Sequence, residues 1–170
     1  MNPMNQAKQP VTVLAGRYGH PLHPALVAVP IGAWVASFVF DIASHLVSDP
    51  GFLAQGSRWL IAVGVLGALA AALVGFLDLF AIPPGTRAFR IGLLHMSINL
   101  AVTVAYAIGF LIRDGAGRGP VSWGQLALSA VALAALGVSG YLGGELAYHY
   151  GVRVADEATQ ARGYIREEKV

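Results

Sequence analysis

The side chains in this sequence best suited to hold a metal or move a proton near neutral pH are its five histidines. Two of them stand in Gly19-His20-Pro21-Leu22-His23-Pro24, where a polar N-terminal segment gives way to a long apolar run. Pro24 suits the first turn of a helix, because its missing N–H would have had no partner there. His23 then falls at or beside the N-cap, and His20 lies one turn earlier on the incoming chain. Three more polar pairs sit four residues apart, which puts each on one helix face: Asp41 with His45, His95 with Asn99, and Glu145 with His149. Asp78 interrupts an apolar run about one turn from its end. Two neutral imidazoles suit haem iron, and each ligating ring would pass its other N–H to an acceptor such as Asn99 or Asp78. A close-set His20, His23 and Glu145 would instead suit a small divalent cation. Asp78, His95 and Glu145 could relay protons or ions, and the same groups could serve only to fix helix register through hydrogen bonds.

The elements that must position these groups are membrane helices. Of 170 residues, 56% are hydrophobic and 12% charged, against about 25% charged in soluble domains. The apolar residues come in blocks long enough to span a bilayer: Pro24 to about Val47, about Ser57 to Ile82, about Arg90 to Ile112, and Val121 to about Tyr150. The expected fold is all-α, a four-transmembrane-helix bundle. Its first helix is kinked at Pro30, whose ring removes the bond back to Leu26. Ser48-Asp49-Pro50-Gly51 and Pro83-Pro84-Gly85-Thr86 are strong turn signals. Residues 1–18 read as a flexible arm, 19–151 as the transmembrane domain, and 152–170 as a polar tail with a short surface helix. The net charge of +2 is too small for nucleic acid. The absence of cysteine excludes disulfides and thiolate chemistry. No cleavable signal peptide, nucleophile elbow or metalloprotease helix motif is evident.

Alternating crossings gather His20, His23, Asp78, His95, Asn99, Glu145 and His149 in one membrane half. Asp41 and His45 go to the other, where they read as a local pair with Arg113 as a further partner. On the His-Pro side lie eight basic residues (Lys8, Arg17, Arg87, Arg90, Arg153, Arg162, Arg166, Lys169), against three on the other (Arg58, Arg113, Arg118). The positive-inside rule then places both termini in the cytoplasm. A faint 2+2 helix-hairpin repeat is also visible. His23 and His95 are each followed 18 or 19 residues later by an aspartate, Asp41 and Asp114, and Gly75-Phe-Leu-Asp78 aligns with Gly140-Tyr-Leu-Gly143. A repeat of that kind would set His23 and His95 facing each other across the bundle, as two axial haem ligands must.

The ordered set His20-Pro-Leu-His23-Pro, Pro30-Ile-Gly32, Gly75-Phe-Leu-Asp78, Ile82-Pro83-Pro84-Gly85-Thr86, His95 with Asn99, and Gly143-Gly144-Glu145 resembles the bacterial domain-of-unknown-function 2231 family, over roughly residues 16 to 154. The resemblance implies a small four-helix membrane protein of the bacterial inner membrane and no established activity. Members joined to Rieske iron–sulfur or cytochrome domains suggest electron transfer and a redox partner of that type. The leading expectation is therefore a non-enzymatic haem b protein in electron transfer, ligated by His23 or His20 and by His95. The alternatives are a structural subunit or anchor, which could be a homo-oligomer, and a proton- or ion-coupled carrier.

Overall fold

The structure, a computed structural model, describes residues 2–113 and 119–165. Asp114, proposed above as the counterpart of Asp41, lies outside the described residues, as do Arg118, Arg166 and Lys169.

The chain opens with a short helix, α1 (Pro3–Lys8), capped by Asn2, whose Oδ1 accepts from the Met4 N–H at 3.0 Å. A 3-10 turn over Val13–Ala15 leads into a two-strand hairpin, β1 (Gly16–Arg17) and β2 (His20–Pro21), in which Arg17 pairs with His20. Gly19 turns this hairpin in the left-handed region, at φ +74°, where a side chain would be strained. The bundle follows: α2 (His23–Leu26), α3 (Ala28–Ala43), α4 (Gly51–Leu79), α5 (Arg87–Ile112) and α6 (Trp123–Gly144). The end of α6 widens into a π-helical turn over Glu145–His149, and α7 (Glu157–Arg162) lies in the tail.

Four stretches are long and apolar enough to cross a membrane: His23–Ala43, Gly51–Leu79, Arg87–Ile112 and Trp123–His149. The outer faces are apolar too, with Val39, Leu66, Leu73, Leu100, Leu111 and Val131 at least half exposed. Such a surface is stable against lipid tails, not water. The kink expected from Pro30 falls one turn earlier, at Val27, where α2 ends and α3 begins. That is the site where the proline ring crowds the carbonyl of residue 26. The second helix begins two turns before the expected Ser57, directly after Pro50, so the turn signal itself marks its start. Thr86 caps α5 through the Phe89 N–H at 3.1 Å, and Ser122 caps α6 through the Gln125 N–H at 3.4 Å.

The arm is not a free segment. Ala7 and Ala15 are buried, the Arg153 N–H donates to the Ala7 carbonyl at 2.9 Å, and Tyr18 Oη donates to Asp156 at 2.8 Å. The Thr159 N–H and the Tyr18 hydroxyl together hold the Asp156 carboxyl below its ordinary range. Arm and tail fold as one cap because each supplies the other's missing donors.

Helix α3 packs on α4, α5 on α6, and α4 on α5. Helices α3 and α5 oppose each other across the centre and meet through side chains. At mid-bundle Trp34 stacks on Tyr106, centroids 4.2 Å apart and planes 8° from parallel, in a core with Ile61, Val102 and Ala132. Each ring's polar atom bonds a carbonyl on the next helix, Trp34 Nε1 to Ile61 at 3.4 Å and Tyr106 Oη to Ser129 at 3.4 Å. Trp34 and Tyr106 are 72 residues apart, and so are His23 and His95, and Asp41 and Arg113. All three pairs meet on the same line through the bundle. The two hairpins therefore repeat about that line. The counterpart of Asp41 is Arg113 rather than Asp114, and the counterpart of Gly75 is Gly143 rather than Gly140, because Gly75 and Gly143 are the ones set against the equivalent imidazoles.

Gly64 lies beneath the Trp34 indole, and a Cβ there would overlap the ring. Trp34 is 2% exposed and cannot retreat. Gly64→Ala is expected to lower stability by about 1–3 kcal/mol through overpacking. Gly137→Ala, where a Cβ meets open space, should leave it unchanged or slightly raised. Thermal unfolding in detergent compares the two, and equal melting temperatures would contradict the close approach.

Candidate functional site

The His-Pro stretch and the start of α5 bring His23 and His95 together at one end of the central line. Their ring centroids are 6.2 Å apart and their planes cross at 82°. Each Nδ1 is engaged by a backbone carbonyl of the neighbouring helix: His23 donates to Ala71 at 2.9 Å, and His95 to Ser139 at 2.8 Å. A carbonyl only accepts, so each Nδ1 carries its proton and turns it toward the neighbouring helix. One turn beyond each acceptor stands a glycine, Gly75 or Gly143, against the ring face; at Gly75 any side chain would collide with the imidazole.

The two rings differ in their remaining contacts. Asn99 Nδ2 donates to Ser139 Oγ at 2.6 Å and to the His95 carbonyl at 2.9 Å, and lies 3.2 Å from His95 Nε2. Asn99 thus shares the face of His95, as the four-residue spacing requires. His23 has no equivalent neighbour, since Val27 occupies the matching position at the helix break.

The sequence places Asp78 near the His-Pro stretch or the Glu145 end of α6. It lies within electrostatic reach of His23. Its direct partner is Arg153, Nε to Oδ1 at 2.7 Å, with the guanidinium 3% and the carboxylate 13% exposed. Arg153 also donates through Nη2 to the carbonyls of Ala15 at 2.8 Å and Gly16 at 3.1 Å. Sequence reasoning counts Arg153 only as a basic residue of the tail. The missed signal is Gly151, which ends the π-helical turn in the left-handed region at φ +68° while the Val152 N–H returns to the Leu146 carbonyl at 2.9 Å. That reversal turns Arg153 back beneath the helices, itself at φ +61°.

The remaining candidates lie apart from the imidazole pair. His20 is exposed on the hairpin, its Nδ1 3.4 Å from the Tyr18 carbonyl. Glu145 accepts from Tyr150 Oη at 3.4 Å, and exposed His149 meets the Tyr150 ring edge-on at 4.7 Å. Among the described residues no three histidine or acidic side chains converge as a metal would need, so His20, His23 and Glu145 do not form a divalent-metal set. Asp78 is held by Arg153, Glu145 by Tyr150, and His95 by Ser139 and Asn99.

At the opposite end of the line, the expected Asp41–His45 pair is replaced by Asp41 and Arg113. Their contact is bidentate, Nη1 to Oδ1 at 2.8 Å and Nη2 to Oδ2 at 2.7 Å, with Ser57 Oγ on Oδ1 at 2.5 Å and Ser129 Oγ near Oδ2 at 3.4 Å. The reason is that α3 ends at Ala43. His45 is already off the helix and stacks on Trp123, centroids 4.3 Å apart, so the one-face rule for a four-residue spacing does not reach it.

The fold and this central line define a four-span membrane bundle built from two hairpins, with an imidazole pair at one end and an ion pair at the other. Residues 19–156 match a family described as predicted membrane protein (DUF2231). The chain belongs to that family. No curated protein and no solved structure matches it.

The Asp41 carboxylate is 0% and the Arg113 side chain 2% exposed. Breaking a buried pair leaves one uncompensated charge, so Asp41→Ala should cost about 3–5 kcal/mol. Asp41→Leu combined with Arg113→Met should restore most of that loss, since an apolar pair removes both desolvation costs. A double variant no more stable than Asp41→Ala would mean that the pair is not the source of the effect.

Proposed function

We propose that His23 and His95 are the two axial ligands of a b-type haem, and that the protein is an electron-transfer component of the bacterial inner membrane, with both termini and the haem on the cytoplasmic side. The observation that carries this reading is the imidazole pair. Two imidazoles that share one metal stand with centroids about 6–6.5 Å apart, given metal–nitrogen bonds of about 2.0–2.1 Å. The pair stands at 6.2 Å. Each ring gives its Nδ1–H to a main-chain carbonyl, the outer bond that orients a ligating histidine and raises its basicity. Gly75 and Gly143 let the neighbouring helices pack directly against both rings and hold them in place, and the surrounding helices are apolar. Four-helix bundles hold cofactors through side chains on facing helices. A haem bound there supplies a one-electron carrier within the bilayer. The chain's part is to fix both rings and to keep water out.

Protein purified from haem-replete cells is expected to show a Soret band. His23→Ala or His95→Ala should abolish it with helicity unchanged, while His20→Ala keeps it. Colourless wild-type protein that takes up no added haemin would overturn the reading. It would leave the second one, a cofactor-free membrane subunit whose polar line fixes helix register. The short contact from Asn99 to His95 Nε2 favours that second reading, because a metal would have to displace it.

The orientation rests on the eight-to-three distribution of basic residues. A fluorescent-protein fusion at residue 170 is expected to glow, and an alkaline phosphatase fusion at Gly119 to be active. The reverse pattern would invert the orientation.

A further inference from the structure

The arm turns an unusual amount of apolar surface outward for a segment that lies outside the spans. Val13 is 82% and Leu14 68% exposed, and Leu22, at the start of α2, is 45% exposed. Between them the hairpin carries Arg17 and His20, directly opposite each other in the antiparallel register. Opposed residues share a face of the ladder, with Cβ atoms about 4.5–5.5 Å apart. Val13, Gly16, Arg17, His20 and Leu22 line a shallow cleft of about 450 Å³. Among the described residues the Arg17 guanidinium has no ion-pair or hydrogen-bond partner.

This surface is held in place. Arg153 binds the carbonyls of Ala15 and Gly16 from beneath, and the Leu22 N–H donates to the Ala15 carbonyl at 3.3 Å. The 3-10 turn also rests on α4. His23, which opens the first span, follows β2 by two positions, so the cleft sits at the rim of the bilayer. Leu22, which caps α2, and Val29 of α3 are likewise exposed on the side of the spans that faces lipid.

We propose that this cleft docks the headgroup of an acidic phospholipid of the adjoining leaflet. Arg17 pairs with the phosphate, whose charge no headgroup cation offsets, His20 lines the same pocket, and Val13 and Leu14 enter the acyl region beside it. The charge argues for an acidic lipid over a neutral one, because an unpaired guanidinium at a membrane surface gains from anionic headgroups. Continuity with the spans argues for lipid over a soluble partner, because a partner seated there would have to displace lipid from Leu22 and Val29. The proposal does not depend on any cofactor.

The sequence has no cysteine, so a single Leu14→Cys carries one bimane label in the full chain. The labelled protein is reconstituted in phosphatidylcholine–phosphatidylglycerol vesicles, with bromine on the acyl chains of one lipid or the other. Brominated phosphatidylglycerol is expected to quench beyond its bulk share, by up to about fivefold enrichment at the label for one basic residue at the surface. Arg17→Gln should reduce the quenching to the bulk ratio while leaving total quenching by lipid intact. The variant cannot lose this preference by misfolding unnoticed, since lipid contact at residue 14 is read in the same sample. Equal quenching by the two lipids in the wild type would overturn the proposal. So would a label quenched only by aqueous iodide, or one shielded from both by a second copy of the chain.

Discussion

The stack of Trp34 on Tyr106 is the contact on which the rest of the bundle depends. Helices α3 and α5 are diagonal neighbours, so their backbones do not touch, and two large flat rings are what spans the gap between them. Two rings nearly parallel at 4.2 Å define how far apart the diagonal helices sit. The flanking helices must yield to this, and they do so with Gly64 on one side and Ala132 on the other. Because the positions 23, 34 and 41 recur at 95, 106 and 113 along opposing helices, fixing the middle pair fixes the outer two. The imidazoles and the ion pair meet because the aromatic layer sets their helices at the right distance.

Lipid as solvent explains what surrounds the stack. Hydrocarbon offers no hydrogen bonds, so every polar group inside a span must find a partner within the protein. Four buried serines do much of this. Ser37 returns its hydroxyl to the Trp34 carbonyl, Ser57 and Ser129 attend Asp41, and Ser139 sits among His95 and Asn99. The costly groups collect on the central line or under the cap, as far from lipid as the fold permits. Arg153 and Asp78 belong to the same logic. An acid in the last turn of a helix is tolerable because a chain reversal at Gly151 delivers a cation to it.

The architecture was legible from apolar block length and turn residues, because membrane spanning imposes a requirement that composition alone expresses. The facing of His23 and His95 was legible too, through crossing parity and a common spacing. What was not legible depended on where helices stop. Asp41 and His45 share a face only while the helix continues, and it ends at Ala43. Arg113, expected as a further partner of Asp41, is its direct one and lies at the 72-residue spacing, but its charge is opposite, so a repeat sought among like residues settles on the neighbouring Asp114. Arg153 was hidden for a related reason. Its burial follows from a left-handed turn three-dimensional in origin, and in the sequence it stands among the exposed charges of a tail.

The way the repeat departs from identity distinguishes the two ends of the line. On a two-fold line, equivalent residues touch each other. Two aspartates or two arginines at the position of Asp41 and Arg113 would be like charges in a buried site, which cannot both stay ionised. Opposite charges are the arrangement that the buried position tolerates, and the halves differ there. Trp34 and Tyr106 differ as well, at no cost to stacking. The imidazoles alone are identical, and each gives its Nδ1–H to a carbonyl of the neighbouring helix. Their surroundings differ, since His95 Nε2 lies 3.2 Å from Asn99 Nδ2 and Val27 stands at the matching position beside His23. The imidazole end is therefore where the two halves agree, and the proposed ligand role rests on that agreement.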